Sequence, residues 1–209
     1  MRTLAIETAT EACSVALFDG AELVAHDHRV LGRGHAEQLV PMIAGLPGQG
    51  RAGRILASLG PGSFTGVRIG IATARALGFA WRAEVLGYPT LALVALMAQA
   101  LHPGEPVTVC MNGGHGEWFV QDFDGDGQPE GDVASLAPAL ATASAHHHLI
   151  AGNRALQLAE LLGGGRHALD LLPDARMALH LPAYALSTAL APIYGRGPDA
   201  RLPGGALPT

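Results

Sequence analysis

The sequence predicts an α/β protein made of two small domains, each with a mixed β-sheet and flanking helices. Three observations lead to this fold class. Short apolar strands open the chain as a meander, helical patterns then alternate with further strands, and the strand–hairpin–helix order begins again after residue 104. With 209 residues, 49% hydrophobic and 15% charged, the chain has enough apolar material for packed cores. A single mixed sheet is the alternative.

The first half of the chain is predicted to contain five strands and three helices. Asp19-Gly20 is a strong hairpin signal between the second and third strands, and the first helix is expected in spite of Pro41. Strands are expected at residues 4–6, 14–18, 22–28, 55–59 and 84–88, and helices at 34–44, at about 63–81 and from residue 89 onward.

Turn residues at Pro103-Gly104-Glu105-Pro106 mark a domain boundary. We therefore expect an N-terminal lobe at 1–103 and a C-terminal lobe at 104–209, whose residues 202–209 are rich in Gly and Pro and are expected to fray. In the second lobe, strands are expected at 107–111, 117–123 and 149–152, and helices at 134–143, 154–162 and 182–190.

A glycine-rich turn, Gly60-Pro61-Gly62-Ser63-Phe64-Thr65-Gly66-Val67-Arg68-Ile69-Gly70, joins a buried strand to the second helix. Ser63 or Thr65 is expected to cap this helix, whose first N–H groups suit a phosphate or another anion. The turn is not a Walker loop, because the chain contains no Lys and its 13 basic residues are all Arg. Nor is it a dinucleotide fingerprint, since Thr65 occupies the place of the third glycine. A turn that docks a helix on a sheet is favoured over a phosphate cradle.

Four small residues, Gly66, Gly70, Ala74 and Gly78, recur every four positions along the second helix and form one stripe on its surface. Each interior glycine costs about 1 kcal/mol of helix stability relative to Ala, so close packing against a neighbour is expected to compensate. The neighbour is either the sheet of the same chain or a helix of a partner subunit, and the spacing favours neither.

Composition and charge exclude several classes of protein. A net charge of −5 and a pI near 6.0 argue against autonomous binding of nucleic acid. Cys13 and Cys110 lie far apart without a CxxC pair, so a disulfide framework is not expected. The chain shows no signal-peptide pattern and no apolar run long enough to span a bilayer, so we expect a cytoplasmic protein without a membrane segment.

Candidate chemical groups are few. Glu7, with Thr8 and Thr10, ends the first strand, where a hydrogen-bonded strand end is favoured over a nucleotide contact. Asp122, Asp124 and Asp126 imitate an EF-hand loop, but position twelve would be Val133, so an acidic hairpin turn is expected. His146-His147-His148 is interpreted as a surface run that binds nickel adventitiously. No Ser-His-Asp or Cys-His set follows from spacing, and neither catalytic nor metal-binding residues are predicted.

Four segments together resemble one family, the bacterial TsaB (YeaZ) proteins. They are Leu4-Ala5-Ile6-Glu7-Thr8-Ala9-Thr10, Arg33-Gly34-His35-Ala36-Glu37-Gln38-Leu39, the glycine turn with its helix from Gly60 to Phe79, and Pro192-Ile193-Tyr194-Gly195-Arg196. Their order covers nearly the whole chain. The resemblance implies the actin-like, sugar-kinase and Hsp70 type of fold, with two ribonuclease-H-like lobes.

The resemblance also implies a function: a non-catalytic scaffold subunit of the complex that makes N6-threonylcarbamoyladenosine at position 37 of tRNA. It would pair with a catalytic TsaD-like subunit, be joined by a TsaE-like ATPase, meet tRNA through the complex, and form a homodimer when alone. The complex would use ATP and Mg²⁺, and this chain would bind no cofactor firmly. The catalytic relatives carry two His four residues apart on a helix for metal, whereas this chain has His35 followed by Leu39.

The resemblance assigns candidate residues to two surfaces. The helices that carry His35 and the small-residue stripe would form the pairing surface, and the end of the first strand and the glycine turn would contact a nucleotide or an anion. The pairing residues are Arg33, His35, Leu39, Gly66, Arg68, Gly70, Ala74 and Gly78, and the anion residues are Glu7, Thr8, Thr10, Ser63 and Thr65. The alternative is a self-sufficient ATP-dependent or hydrolytic enzyme that uses the cleft between the lobes. The segment Asn112-Gly113-Gly114-His115 departs from the relatives, which leaves its role open.

Overall fold

The computed structural model describes residues 1–195, within which two five-stranded sheets are connected by helices. The first sheet has the strand order β3-β2-β1-β4-β5 and carries three helices. Its elements are β1 (Arg2–Glu7), β2 (Ala12–Asp19), β3 (Glu22–Val30), α1 (His35–Gly45), β4 (Arg54–Ser58), α2 (Phe64–Trp81), β5 (Glu84–Tyr88) and α3 (Thr90–Leu101). Strands β1, β2 and β3 pair antiparallel, whereas β4 and β5 continue the sheet in parallel from β1. The five strands and three helices predicted for this half are confirmed.

The second sheet repeats this arrangement in the order β8-β7-β6-β9-β10. Its elements are β6 (Val107–Gly114), β7 (Glu117–Phe123), β8 (Ala134–Leu136), α4 (Pro138–Ala141), β9 (Leu149–Ala151), α5 (Ala155–Leu161) and β10 (His167–Leu169). As in the first sheet, three strands pair antiparallel and two follow in parallel. The duplicated architecture predicted from the strand order is confirmed, and the single mixed sheet is excluded for the described residues.

The central strands of the first sheet are apolar on both faces because helices cover both. On one face, Leu4, Ile6 and Val15 pack with residues of α1 and α2. On the other, Ala5 and Phe18 pack against α3 and against the 3₁₀ helix Ala175–His180. A strand buried on both faces is expected to be continuously hydrophobic, and β2 is buried from Ala12 to Phe18.

The glycine stripe of α2 packs on the protein's own sheet. A Cβ atom at Gly66 would lie 2.2 Å from the carbonyl oxygen of Thr8, and one at Gly70 would lie 2.4 Å from Thr8 Oγ1. At Gly78 a Cβ atom would lie 2.3 Å from Val85 Cγ2. The intramolecular alternative therefore explains why small residues occupy this face. The cap of α2 is also as predicted, because Ser63 Oγ accepts a hydrogen bond of 3.2 Å from the N–H of Gly66.

Two predicted helices of the second half are wrong. Residues 134–143 begin as strand β8, and only the short helix α4 follows. Pro138 disfavours a helical conformation at residue 137, so a helix cannot continue through this point but can start there. Residues 182–190 form a 3₁₀ turn, Ala183–Ala185, after which Ser187 exchanges two backbone hydrogen bonds with Gly87 of β5. This long-range pairing overrides the local helical pattern, and β10 had no predicted counterpart.

Residues 187–195, here called the return segment, lie against the first sheet and α2. The N–H of Ile193 donates to the carbonyl of Leu59 at 2.8 Å, and Arg75 Nη2 donates to the carbonyl of Leu190 at 3.0 Å. The predicted lobe boundary at 103/104 stays a prediction, but this part of the 104–209 stretch contacts elements of the first half. Arg196 and residues 202–209 lie outside the described residues.

Two properties inferred from composition can be compared with the structure. Cys13 and Cys110 are free and buried in different sheets, which confirms that they form no disulfide with each other; burial raises the pKa of their thiols to about 11 and about 12. Among residues 1–195, no helix combines the length and the apolar character that a bilayer crossing requires.

Candidate functional site

A cleft of about 700 Å³ opens where the start of α1, the start of α2, the β6–β7 hairpin and the return segment meet. Its walls therefore come from both halves of the chain. The turn after β1 contributes Ala9, Thr10 and Glu11, and the start of α1 with the residues before it contributes 32–37. The glycine turn and the start of α2 contribute residues 62–67 and Ile69, the hairpin contributes residues 112–115 with Phe119, and the return segment contributes residues 192–195.

The residues predicted to contact an anion divide into two groups. Thr10, Ser63 and Thr65 line the cleft, whereas Glu7 and Thr8 do not. Ser63 Oγ is engaged by the α2 cap, and Thr10 Oγ1 accepts a hydrogen bond of 3.2 Å from the N–H of Ala12. The first turn of α2 therefore lines the cleft, together with two hydroxyl groups that already accept hydrogen bonds from nearby backbone N–H groups.

The Glu7 carboxyl lies inside the first lobe. The residue has no exposed surface, and burial raises the pKa of its carboxyl from 4.5 to about 7, although the hydrogen bond that Oε1 accepts from the N–H of Ala9 at 2.7 Å opposes the rise. The Thr90 hydroxyl lies 3.5 Å from Oε2. Thr8 Oγ1 donates to the carbonyl of Gly66 at 2.8 Å, which ties the same strand end to α2. These contacts correspond to the hydrogen-bonded strand end that the sequence favoured, and the nucleotide contact of Glu7 and Thr8 stays a prediction.

Arg68 lies between two aromatic rings, those of Phe64 and Tyr194. Its guanidinium carbon lies 3.3 Å from the Phe64 ring centroid, and its Nη2 donates to the Tyr194 hydroxyl at 2.6 Å. Phe64 and Tyr194 both line the cleft. Sequence reasoning placed Arg68 in a pairing surface but missed this stack, because its partner Tyr194 is 126 residues away in the chain.

Six of the eight residues predicted to form the pairing surface are buried in this chain and are not exposed to a partner in this structure. The imidazole of His35 is 7% exposed, and its Nε2 lies 3.2 Å from the carbonyl oxygen of Ala12, while Leu39 belongs to the core beneath α1. The four stripe residues, Gly66, Gly70, Ala74 and Gly78, face the sheet. The small side chains allow α2 to pack close to the strands of its own sheet, so the glycine side of α2 is already buried within the chain. Only Arg33 and Arg68 are exposed.

The solvent-facing sides of α1 and α2 carry exposed apolar side chains, which are together called the helical face. It consists of the exposed residues Ala36, Val40 and Ala44 on α1 and Ala72, Ala76 and Phe79 on α2. Phe79 is 91% exposed and Val40 is 56% exposed, and the two helices are in contact with each other. The sequence signal was available: apolar residues three or four positions apart on the side of α2 away from the glycine stripe.

A second cluster of polar groups lies in the second lobe. The acidic run forms a hairpin turn as predicted, in which Asp124 Oδ1 accepts hydrogen bonds from the N–H groups of Asp126 and Gln128. The structure also places His146 beside Asp122 and His147 beside Glu130. Sequence patterns alone do not connect the acidic run with the histidine run, because the two motifs belong to separate loops.

Comparison with known proteins connects this architecture to a family. A sequence model described as "TsaD: tRNA N6-adenosine threonylcarbamoyltransferase" matches residues 29–173. The Escherichia coli (strain K12) protein named tRNA threonylcarbamoyladenosine biosynthesis protein TsaB is 36% identical over 131 residues, which are 60% of this chain and 56% of that protein. The protein of the same name from Haemophilus influenzae is 36% identical over 115 residues, 52% of this chain and 48% of that protein. The chain thus spans about half the length of the curated relatives it matches.

Solved structures extend the similarity over nearly the whole chain. YeaZ from Pseudomonas aeruginosa superposes with a TM-score of 0.76 at 30% identity, covering 92% of this chain and 99% of YeaZ. Component A of (R)-2-hydroxyglutaryl-CoA dehydratase from Acidaminococcus fermentans superposes with a TM-score of 0.51 at 13% identity, covering 88% and 97%. The second likeness concerns the fold alone and agrees with the actin-like class expected from the resemblance. The sequence model matches more than half of the chain, and YeaZ is 30% identical over nearly its whole length and superposes on the duplicated sheets. The chain therefore belongs to the TsaB (YeaZ) family.

Proposed function

We propose that this protein is a non-catalytic subunit of the machinery that makes N6-threonylcarbamoyladenosine at position 37 of tRNA, and that it docks on a TsaD-like catalytic subunit through the helical face. A TsaE-like ATPase would join the pair, and tRNA would be met through the complex in the cytoplasm. The single observation that carries the proposal is the exposure of the apolar helical face, above all of Phe79. The names of the E. coli and H. influenzae relatives support the pathway.

The helical face has the character of a docking surface. An aromatic side chain that is 91% exposed gains about 2 kcal/mol when it is fully buried, so Phe79 favours a covered state. The alanines around it carry little rotamer entropy that a partner would have to immobilise. Interfaces commonly concentrate their binding energy in one such aromatic anchor. A partner helix or loop packed over Phe79 and Val40 would remove both apolar side chains from water.

The start of α1 supports the non-catalytic assignment. Catalytic relatives are expected to present two imidazoles on one side of this helix. Here Leu39 is a core residue, and the one imidazole, that of His35, is buried beside the Ala12 carbonyl. A lone buried histidine offers a metal neither a companion ligand nor an open position.

The first experiment is light scattering behind a sizing column, on this chain alone and mixed with the TsaD-like protein of the same organism. A heterodimer is expected for the wild type and is expected to be lost in Phe79→Glu, because the charge would have to be desolvated at the interface. Leu140→Glu is the matched control, since Leu140 is exposed to 61% on α4 in the second lobe. A heterodimer that withstands Phe79→Glu would overturn the proposed surface.

The same measurement separates the heterodimer from a homodimer. The helical face can pair with its own copy in an isologous contact, so the chain alone is expected to run as a dimer that dissociates on addition of the TsaD-like protein. A chain that stays monomeric alone but forms the mixed complex would exclude the homodimer while leaving the scaffold role intact.

The cleft supports a second candidate, a self-sufficient enzyme that binds a nucleotide between the lobes. Its volume and the first turn of α2 suit a phosphate-containing ligand. Calorimetric titration of the lone chain with ATP and Mg²⁺ tests this candidate. The scaffold proposal expects no firm binding, whereas tight binding with turnover by the lone chain would favour the enzyme.

A further inference from the structure

The geometry points to a site for a divalent transition-metal cation of the Zn²⁺ class in the second lobe, with Asp122, Glu130 and His147 as its ligands and His146 beside them. One potential ligand atom from each of the first three residues lies within 4.8 Å of the other two. His146 Nδ1 lies 2.5 Å from Asp122 Oδ2, and His147 Nε2 lies 2.5 Å from Glu130 Oε2. The cluster is distant in sequence from the helical face and does not line the cleft.

Three segments of the chain converge to build the cluster. Asp122 lies near the end of β7, Glu130 lies in the connection from β7 to β8, and His146 and His147 lie in the loop that leads into β9. Backbone contacts fix two of these segments to each other, because the N–H of Glu130 donates to the carbonyl of Asp122 at 3.0 Å. A metal bound here would join the third segment, the loop before β9, to the other two.

A buried threonine holds two of the ligands in place. Thr108 on β6 has no exposed surface, and its hydroxyl donates to Asp122 Oδ1 while it accepts a hydrogen bond from the N–H of His147. Arg166 Nη1 donates to the carbonyl of His147 at 2.8 Å, which fixes the other side of the same residue. Outer groups of this kind orient ligating carboxylates and histidines in known metal sites.

The donor set indicates the class of cation. Imidazole nitrogens with carboxylate oxygens suit Zn²⁺ and its neighbours, whereas Ca²⁺ and Mg²⁺ prefer oxygen ligands alone. Two carboxylates in one cluster favour a dication. Within residues 1–195, the ion pairs formed by Asp122 and Glu130 are with histidines and not with Arg. Zn²⁺ ligands lie about 3.4 Å apart in a tetrahedron, so small side-chain rotations would bring the ligand atoms of Asp122, Glu130 and His147, now within 4.8 Å of one another, onto one ion.

The exposure of the ligands leaves a route for the ion. Asp122 and His147 are mostly covered, while Glu130 and His146 are exposed. The covered pair provides fixed ligands and the exposed pair can adjust as the ion enters, with water completing the coordination. The site is structural, since none of its four residues lines the cleft.

The test is calorimetric titration of the full chain, without a histidine tag and after treatment with a chelator, using Zn²⁺ alone. One ion per chain is expected. Glu130→Gln and His147→Ala are each expected to weaken binding at least about tenfold, the order of change seen when metal sites are perturbed. His148→Ala and Asp132→Asn are the matched controls, because both residues are exposed neighbours outside the cluster. Circular dichroism of each metal-free variant establishes that the fold is retained.

Titration with Co²⁺ provides a second readout, since its visible absorption reports the coordination geometry and does not depend on activity. A saturable spectrum that is lost in Glu130→Gln would support the site. No saturable binding of either ion would overturn it. Loss of Zn²⁺ binding in His148→Ala as large as in His147→Ala, with Glu130→Gln unaffected, would mean an adventitious ion only on the histidine run.

Discussion

At the end of β1, the Glu7 carboxyl lies without exposed surface between a backbone N–H and the Thr90 hydroxyl, and burial raises its pKa from 4.5 to about 7. Between these two pKa values the folded chain keeps a proton that the unfolded chain has lost. Its contribution to stability is therefore fully present below pH 4.5 and declines as the pH rises to about 7. At neutral pH the buried Glu7 carboxyl therefore destabilises the fold, although Glu7 does not line the cleft.

We expect Glu7→Gln to flatten this pH dependence. The amide oxygen can still accept from the N–H of Ala9, and no charge needs to be buried. The variant should gain stability relative to wild type as the pH rises from 4.5, reaching about 3 kcal/mol above pH 7. Urea denaturation at pH 5 and pH 8 measures the difference. Glu160→Gln, the same chemical change at an exposed position of α5, serves as the control. Equal pH dependence in wild type and Glu7→Gln would contradict the buried-proton account.

At the scale of single residues, the sequence predicted hydrogen bonds between near neighbours better than it predicted which residues are buried or exposed. The Ser63 cap and the strand-end character of Glu7 follow from neighbours within a few positions. The resemblance assigned His35 and Leu39 to a pairing surface, and their position on a helix does not by itself reveal which side meets the sheet. The stack of Arg68 on Phe64 is local, but the contribution of Tyr194 depends on a return of the chain that no local pattern predicts.

At the scale of elements, the two sides of α2 differ in what they contact. The glycine side packs closely on the sheet, and the other side is exposed to solvent. Gly66 and Gly70 lie against Thr8, whose own hydroxyl holds the carbonyl of Gly66. The glycines therefore determine how near the helix lies to β1. Any side chain added there acts on the fold first and on a partner surface only as a consequence.

Gly66→Ala is expected to destabilise the chain by about 3 kcal/mol, because a Cβ atom would lie 2.2 Å from the backbone oxygen of Thr8 and that strand cannot easily withdraw. Gly45→Ala in α1 is the matched control, since a Cβ atom there meets no atom within 4 Å and should leave the stability unchanged or raise it. Thermal and urea denaturation of both variants measures the effect. Equal stability of the two variants would show that α2 can move away from β1 freely.

The elements of the first half were predictable because hydrophobic runs, the Asp19-Gly20 turn and the helix cap agree with one another. The second half was harder. Strand β8 has three residues and owes its existence to pairing with β7, and β10 likewise depends on β9. A segment this short carries too little periodicity to be distinguished from a helix or a loop.

At the scale of the whole molecule, one hydrogen-bonded cluster joins the two halves beside the cleft. Asn153 Nδ2 donates to both carboxylate oxygens of Glu11, at 2.9 and 3.1 Å, and Asn153 Oδ1 accepts from the N–H of Asn112 at 2.8 Å. Glu11 also accepts, through its carbonyl, from the N–H groups of Leu31 and Gly32. The contact thus connects the turn after β1 to the beginning of α5.

We expect Asn153→Asp to destabilise the chain by about 1 kcal/mol, because it places a second carboxylate against that of Glu11. Adding Glu11→Gln should recover most of this loss, since the amide can then donate in the opposite direction. A double-mutant cycle by thermal denaturation measures the coupling, which should exceed about 0.5 kcal/mol. Simple additivity would indicate that the two side chains do not interact in solution.

The return segment has a consequence for the order in which the protein folds during synthesis. Leu190 and Ile193 complete an apolar cluster with Leu59 and Val67, and Ser187 pairs with the edge strand β5. These partners are made 100 or more residues earlier on the ribosome than the residues that cover them. Until the return segment has left the exit tunnel, the first lobe therefore exposes part of its apolar surface and the edge of β5.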